Sequence, residues 1–135
     1  MAARHQIESH RFWDLVTLWA KEQLESEEVV ARALAKGVIR DGLRLQSADA
    51  RWTKGKSMEL KGQPFVGFCA SPGAELIVLR AEALEHLLGV VRQARRPSRS
   101  VLKGEFVTKD DFRQWLRSTK QELPAFWFAR GEDAA

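Results

Sequence analysis

Apolar residues recur near the start of the chain with helical spacing. Phe12, Leu15, Val16 and Trp19 fall at i, i+3, i+4 and i+7, which marks one buried face of a helix over about Gln6 to Leu24. Ser26 stands as an N-cap before Glu27 and Glu28, acids that suit the positive end of a helix dipole, and Val29, Val30, Ala33 and Leu34 continue a second helix. Gly37 is its expected stop, and Gly42 discourages a restart. From Leu43 the pattern suits extended chain. Strands are predicted near 42–47, 65–70 and 75–79, the last two joined through Ser71-Pro72-Gly73-Ala74 as a hairpin. Ala50 to Gln63, rich in Lys, Gly and Ser, reads as a flexible exposed loop with a short strand at Met58 to Leu60.

Leu84, Leu87, Leu88 and Val91 return to helical spacing, so a third helix runs over about Ala81 to Gln93 and breaks at Arg95-Arg96-Pro97-Ser98-Arg99. Thr108 offers a cap oxygen with Asp111 three residues on, and the fourth helix buries Phe112, Trp115 and Leu116 before ending near Lys120. Pro124 prevents any helix from continuing into the aromatic tail. Leu123 to Phe128 is therefore expected as extended chain with its rings laid on the core, and 130–135 as a frayed end. These elements predict an α+β domain: two N-terminal helices, a small antiparallel sheet with a hairpin near 65–79, and two C-terminal helices.

Composition narrows the class without naming a function. The 135 residues, 15.3 kDa, are 44% hydrophobic and 30% charged, which is globular in kind and the size of a single domain. No stretch reaches the ~18 apolar residues of a membrane span, and the first residues lack the apolar core of a secretory signal. Cys69 is the one cysteine, so no internal disulfide forms and a cytoplasmic setting is expected. Charge changes the picture more. Residues 1–50 carry 7 basic and 8 acidic side chains and 105–135 carry 5 and 6, whereas 51–104 carry 10 against 4. The 18 residues from Leu87 to Gly104 contain no acid.

Several patterns invite a chemical reading and fail on context. Ala50 to Ser57 satisfies a relaxed P-loop pattern, but Gly62 and Pro64 come too soon after it for the helix that would cradle phosphate. Lys61 to Phe68 approaches the RNA-recognition octapeptide, yet Gln63 stands where a base-stacking aromatic belongs. Ala33, Gly37 and Leu43 have helix-turn-helix spacing, with Asp41-Gly42 a poor pair inside the recognition helix that spacing requires. His5 and His10 would lie about 140° apart on a helix and cannot share a metal. Glu82 and His86 share a face but lack a third ligand. No catalytic, metal or cofactor site is expected.

Two features remain. Arg92, Arg95, Arg96, Arg99 and Lys103 crowd twelve acid-free residues around a proline, suited to phosphate and expected to be mobile. Lys109, Arg113, Arg117 and Lys120 fall within about 80° on the fourth helix and form a cationic stripe beside its apolar face. Arg92, Arg95, Arg96, Arg99 and Lys103, with Arg113, Arg117 and Lys120 of the stripe, are the candidate nucleic-acid-binding residues. Phe126, Trp127 and Phe128 either complete the core or present an interface to a protein partner or second copy.

Phe106-Val107-Thr108-Lys109-Asp110-Asp111-Phe112-Arg113-Gln114-Trp115-Leu116, with Leu123-Pro124-Ala125-Phe126-Trp127-Phe128 after it, resembles a C-terminal signature of uncharacterised accessory proteins from proteobacterial prophages and integrative mobile elements. The resemblance covers about a fifth of the chain. It implies a bacterial mobile-element setting, and DNA as a partner, without supplying an activity. The expectation is a non-enzymatic, DNA-associated accessory or regulatory protein. The alternative is an interaction module or homodimer using the aromatic tail.

Overall fold

Antiparallel pairing between the two ends of the chain organises the molecule, seen in a computed structural model that describes residues 7–47, 59–60, 63–68 and 77–129. The elements are β1 (Ser9–Arg11), α1 (Phe12–Gln23), α2 (Glu27–Arg40), β2 (Gln46–Ser47), β3 (Glu59–Leu60), β4 (Gln63–Phe68), β5 (Ile77–Arg80), α3 (Ala81–Arg92), β6 (Glu105–Thr108) and α4 (Lys109–Ser118). The fold is α+β. One antiparallel sheet has the order β1-β6-β2 and the other β3-β4-β5. The expected hairpin is present as β4 against β5, with Phe65 opposite Arg80 and Phe68 opposite Ile77. Cys69, the turn at 71–74, the P-loop-like Ala50 to Ser57, most of the loop expected over 50–63, and the tail 130–135 lie outside the described residues.

Local signals place the helices well. Ser26 Oγ accepts from the Val29 N–H at 3.2 Å and Thr108 Oγ1 from the Asp111 N–H at 3.2 Å, so both expected caps satisfy an orphan donor. Where the structure departs from the periodicity, a distant partner is responsible. Residues 9–11 are a strand rather than the first turn of α1, because Ser9, His10 and Arg11 pair with Thr108, Val107 and Phe106. β6 itself escaped prediction because Glu105 occupies an inward position where a strand pattern calls for an apolar residue. The strand expected over 42–47 shrinks to Gln46–Ser47, with Leu43 and Leu45 buried in irregular chain.

α2 continues through Gly37 instead of stopping there. A Cβ at Gly37 would stand 2.8 Å from Trp115 Cζ2, so the missing side chain is what lets α4 seat its indole against α2. Trp115 is held in turn by Trp19 and Phe112, at ring separations of 6.1 and 5.8 Å. Gly37→Ala gains about 1 kcal/mol of helix propensity but meets an overpacking cost of about 1–3 kcal/mol. The expected outcome is a lower urea midpoint; a raised midpoint would show that the indole moves aside. Of the apolar residues along α2, only some turn inward. Val30, Ala31, Leu34, Ala35, Val38 and Ile39 are buried, whereas Val29 and Ala33 are exposed.

The C-terminal tail is not extended. Pro124 opens a single tight turn in which its carbonyl accepts from the Trp127 and Phe128 N–H groups at 3.3 and 3.0 Å. Proline suits that position, since the first N–H of a turn has no partner to lose. Glu22 on α1 accepts from the Ala125 and Phe126 N–H groups at 3.0 and 2.7 Å, and Trp127 Nε1 donates to the Ile7 carbonyl at 2.7 Å. Phe126, Trp127 and Phe128 are buried in the same cluster as Phe12, Leu34, Leu87 and Phe112. The rings thus serve the chain's own core, which leaves the interface expected of them without exposed aromatic surface.

Candidate nucleic-acid interface

The basic segment 92–104 is laid down by fixed points on its neighbours. Ala94 adopts φ 55° after α3, and the Arg95 N–H returns to the Gly89 carbonyl at 3.1 Å, which reverses the chain. The Arg95 guanidinium then lies on Gly89, where an added Cβ would approach its Cζ to 2.9 Å. His86 Nε2 accepts from the Ser98 N–H at 2.9 Å. Arg80 Nη2 donates to the Val101 carbonyl at 2.7 Å, Leu102 is buried, and Arg11 Nη1 reaches the Lys103 carbonyl at 3.4 Å. The expectation of a mobile segment is therefore corrected: its backbone is pinned from α3, β5 and β1 while its five cationic side chains stay exposed.

Beneath the segment sits a buried ion pair that sequence reasoning missed. Glu105, fully buried, accepts from Arg80 Nε at 2.9 Å and from Nη2 at 2.7 Å, and takes a third bond from Ser47 Oγ at 2.8 Å. Ser47 Oγ also accepts from the Arg80 N–H at 2.9 Å. The network ties β2, β5, β6 and the Val101 carbonyl together. Its members lie 21 to 58 residues apart along the chain, so no local pattern could have announced it.

The expected cations fall into two groups. Arg92, Arg95, Arg96, Arg99 and Lys103 are all exposed, and the Arg96 side chain, 87% exposed, pairs with Glu28 at 3.2 Å. The stripe on α4 is different in kind. Lys109 is buried with its Nζ 5.1 Å from the Phe128 ring centre. Arg113 is 24% exposed, bonded to Asp110 at 2.8 Å and set 5.4 Å over the same ring. Arg117 and Lys120 are exposed. Half of the stripe thus covers the aromatic tail.

The structure adds a neighbouring set. Arg32, Lys36 and Arg40 lie at i, i+4 and i+8 on the outer side of α2, in a stretch, 29–40, that contains no acid. Their spacing was visible in the sequence, but nothing local tied it to 92–104. Arg32 makes the connection, with Nη2 3.4 Å from the Ala94 carbonyl. Two acid-free stretches therefore meet, and positive charge that looked confined to one segment extends across α2.

The patterns set aside on sequence context can be located in the fold. Leu43 to Leu45 is not helical and Ala33 is exposed, so the helix-turn-helix reading is contradicted. His10 packs edge-on to Trp127 at 4.5 Å, and His86 Nε2 is committed to Ser98. No group of three or more metal-ligating side chains occurs among the described residues, nor among them a helix long and apolar enough to cross a membrane.

Burial, reinforced by nearby Arg95 and opposed by Glu82, lowers the His86 pKa below the usual 6.5. Burial lowers that of His10 as well, opposed by Asp14. A folded state that disfavours the imidazolium binds fewer protons than the unfolded chain. The contribution of each His is therefore present above pH 6.5 and declines as pH falls below it. Urea melts between about pH 7.5 and about pH 5 should show stability falling with acidification. The protection of the Ser98 amide, measured against its intrinsic base-catalysed exchange rate, should fall with acidification as its acceptor is protonated, and His86→Gln, which keeps an acceptor without a titrating charge, should flatten that response. A Ser98 protection factor that does not change with pH would contradict this account.

No family model, no curated protein and no solved structure matches the chain. What the site can do rests on its own geometry.

Proposed function

We propose that this chain is a non-enzymatic, DNA-associated accessory or regulatory protein, acting in the cytoplasm and, by its C-terminal resemblance, belonging to a bacterial mobile element. The observation that carries the proposal is the junction of two acid-free stretches, 29–40 and 87–104, which presents Arg92, Arg95, Arg96, Arg99 and Lys103 beside Arg32, Lys36 and Arg40. A pinned backbone bearing exposed guanidinium groups loses little entropy on meeting a phosphate array, and Arg suits phosphate geometry. Arg113, Arg117 and Lys120 are kept as secondary contacts, with Arg117 and Lys120 the exposed members.

Titration of labelled duplex DNA at low and at physiological salt tests the proposal. Wild-type affinity should fall steeply with salt, by about 0.9 logarithmic units per unit of log salt for each neutralised phosphate. Arg95→Ala/Arg96→Ala/Arg99→Ala should reduce that slope by roughly 2 to 3 while the melting temperature changes little. Absence of binding at low salt, or binding indifferent to the triple substitution, would reject the interface.

A further inference from the structure

A cleft beside the basic segment narrows the kind of nucleic acid. It lies between the first turns of α1 and α2 and residues 96–99, encloses about 340 Å³, and is lined by Trp13, Glu27, Glu28, Arg96, Pro97 and Arg99. That volume is at the small end of ligand pockets, which run from ~300 to ~1,000 Å³. The two flat apolar surfaces are the half-buried Trp13 indole and the Pro97 ring, and the two cations are exposed.

The acids in the wall are already engaged. Glu27 accepts from Trp13 Nε1 at 3.2 Å through one oxygen and from Thr17 Oγ1 at 2.9 Å through the other. Glu28 faces Arg96 at 3.2 Å and Arg32 at 3.9 Å. The bond to Glu27 also fixes the orientation of the indole, so its ring is set before any ligand arrives. Two carboxylates make the cleft unsuitable for a bare phosphate, and its charged walls are unsuitable for an aliphatic chain. A planar, uncharged heterocycle flanked by anionic groups answers both constraints.

We propose that this cleft takes one unpaired nucleobase of a single-stranded nucleic acid, stacked on Trp13, with the adjoining phosphates on Arg96 and Arg99. A base inside a duplex has both faces covered by its neighbours and cannot enter, so the cleft confers a preference for single strands. The inference rests on the phosphate-binding role proposed for the same basic segment.

Binding of a labelled mixed-sequence twelve-nucleotide strand is to be compared with binding of its duplex at one low salt concentration. Wild type should prefer the single strand by roughly tenfold, the scale of one base stacked on an aromatic ring. Trp13→Ala should abolish the preference and leave duplex affinity unchanged, and Trp13→Phe should restore most of it. A strand carrying 2-aminopurine provides a second measurement that needs no variant, because stacking quenches its fluorescence. Equal affinity for strand and duplex, or no quenching at any position, overturns the stacking site while leaving the phosphate interface standing. Failure to bind either nucleic acid overturns both.

Discussion

Glu105→Ala is expected to cost about 3–5 kcal/mol, because it removes the bidentate partner of a mostly buried Arg80 guanidinium and leaves it the Val101 carbonyl and the more distant Glu82 at 3.9 Å. For a chain of this size the melting temperature should fall by roughly 10–20 °C. The loss should exceed that of any surface substitution, since Ser47 Oγ also forfeits its bond to the carboxylate. Replacing both ends, Arg80→Met with Glu105→Leu, should cost less than the sum of the single changes, because no uncompensated charge then remains buried. Urea melts of the four proteins form the double-mutant cycle. Additive losses would mean that the two side chains do not act as a pair. The network also lies beneath 92–104, so the Arg80 bond to the Val101 carbonyl links fold stability to the placement of the basic segment. On the proposed function, a destabilised Glu105→Ala protein should lose DNA affinity along with structure.

Trp127→Ala is the second large effect, at about 3–5 kcal/mol. The indole is fully buried, stacks on Phe112 at 5.5 Å, meets His10 edge-on at 4.5 Å, and donates to the Ile7 carbonyl. Truncation therefore opens a cavity and removes the indole donor from the part-buried Ile7 carbonyl. The melting temperature should fall by the same amount at low and high protein concentration. A loss that appears only in concentrated protein, where copies associate, would place the ring at an interface between copies instead. The same packing explains why Lys109 and Arg113 cannot be counted with the exposed cations: both ride over Phe128, the neighbour of this indole. Substitution at either should be felt in stability before it is felt in binding.

Some parts of this molecule were legible in the sequence and others not at all, and the division follows the range of the interactions. α1, α3 and α4 could be read because each depends on a repeat within a few residues, and Ser26 and Thr108 because a cap bonds three residues away. For α2, the sequence pointed to a stop at Gly37 that the structure does not make. Glycine does weaken a helix when nothing compensates; here Trp115, 78 residues on, fills the space its side chain would take. β1 and β6 were missed together: β1 is too short to show a period, β6 places Glu105 inward, and both depend on distant pairing, β6 with β1 and with β2. The candidate interface divides in the same way. Arg92 to Lys103 stood out as an acid-free run, whereas Arg32, Lys36 and Arg40 gained meaning only when Arg32 met the Ala94 carbonyl.

By itself, then, the chain determined its α+β class, the helical stripes, the two caps and the place where positive charge accumulates. These depend on spacing and composition, which act locally. Tertiary structure decided that the 92–104 segment is pinned, that half of the α4 stripe shields an aromatic tail, and that Trp13 and Pro97 line one cleft beside Arg96 and Arg99. Each of those outcomes depends on groups brought together from distant positions, where burial and hydrogen-bond satisfaction, not periodicity, choose the partner.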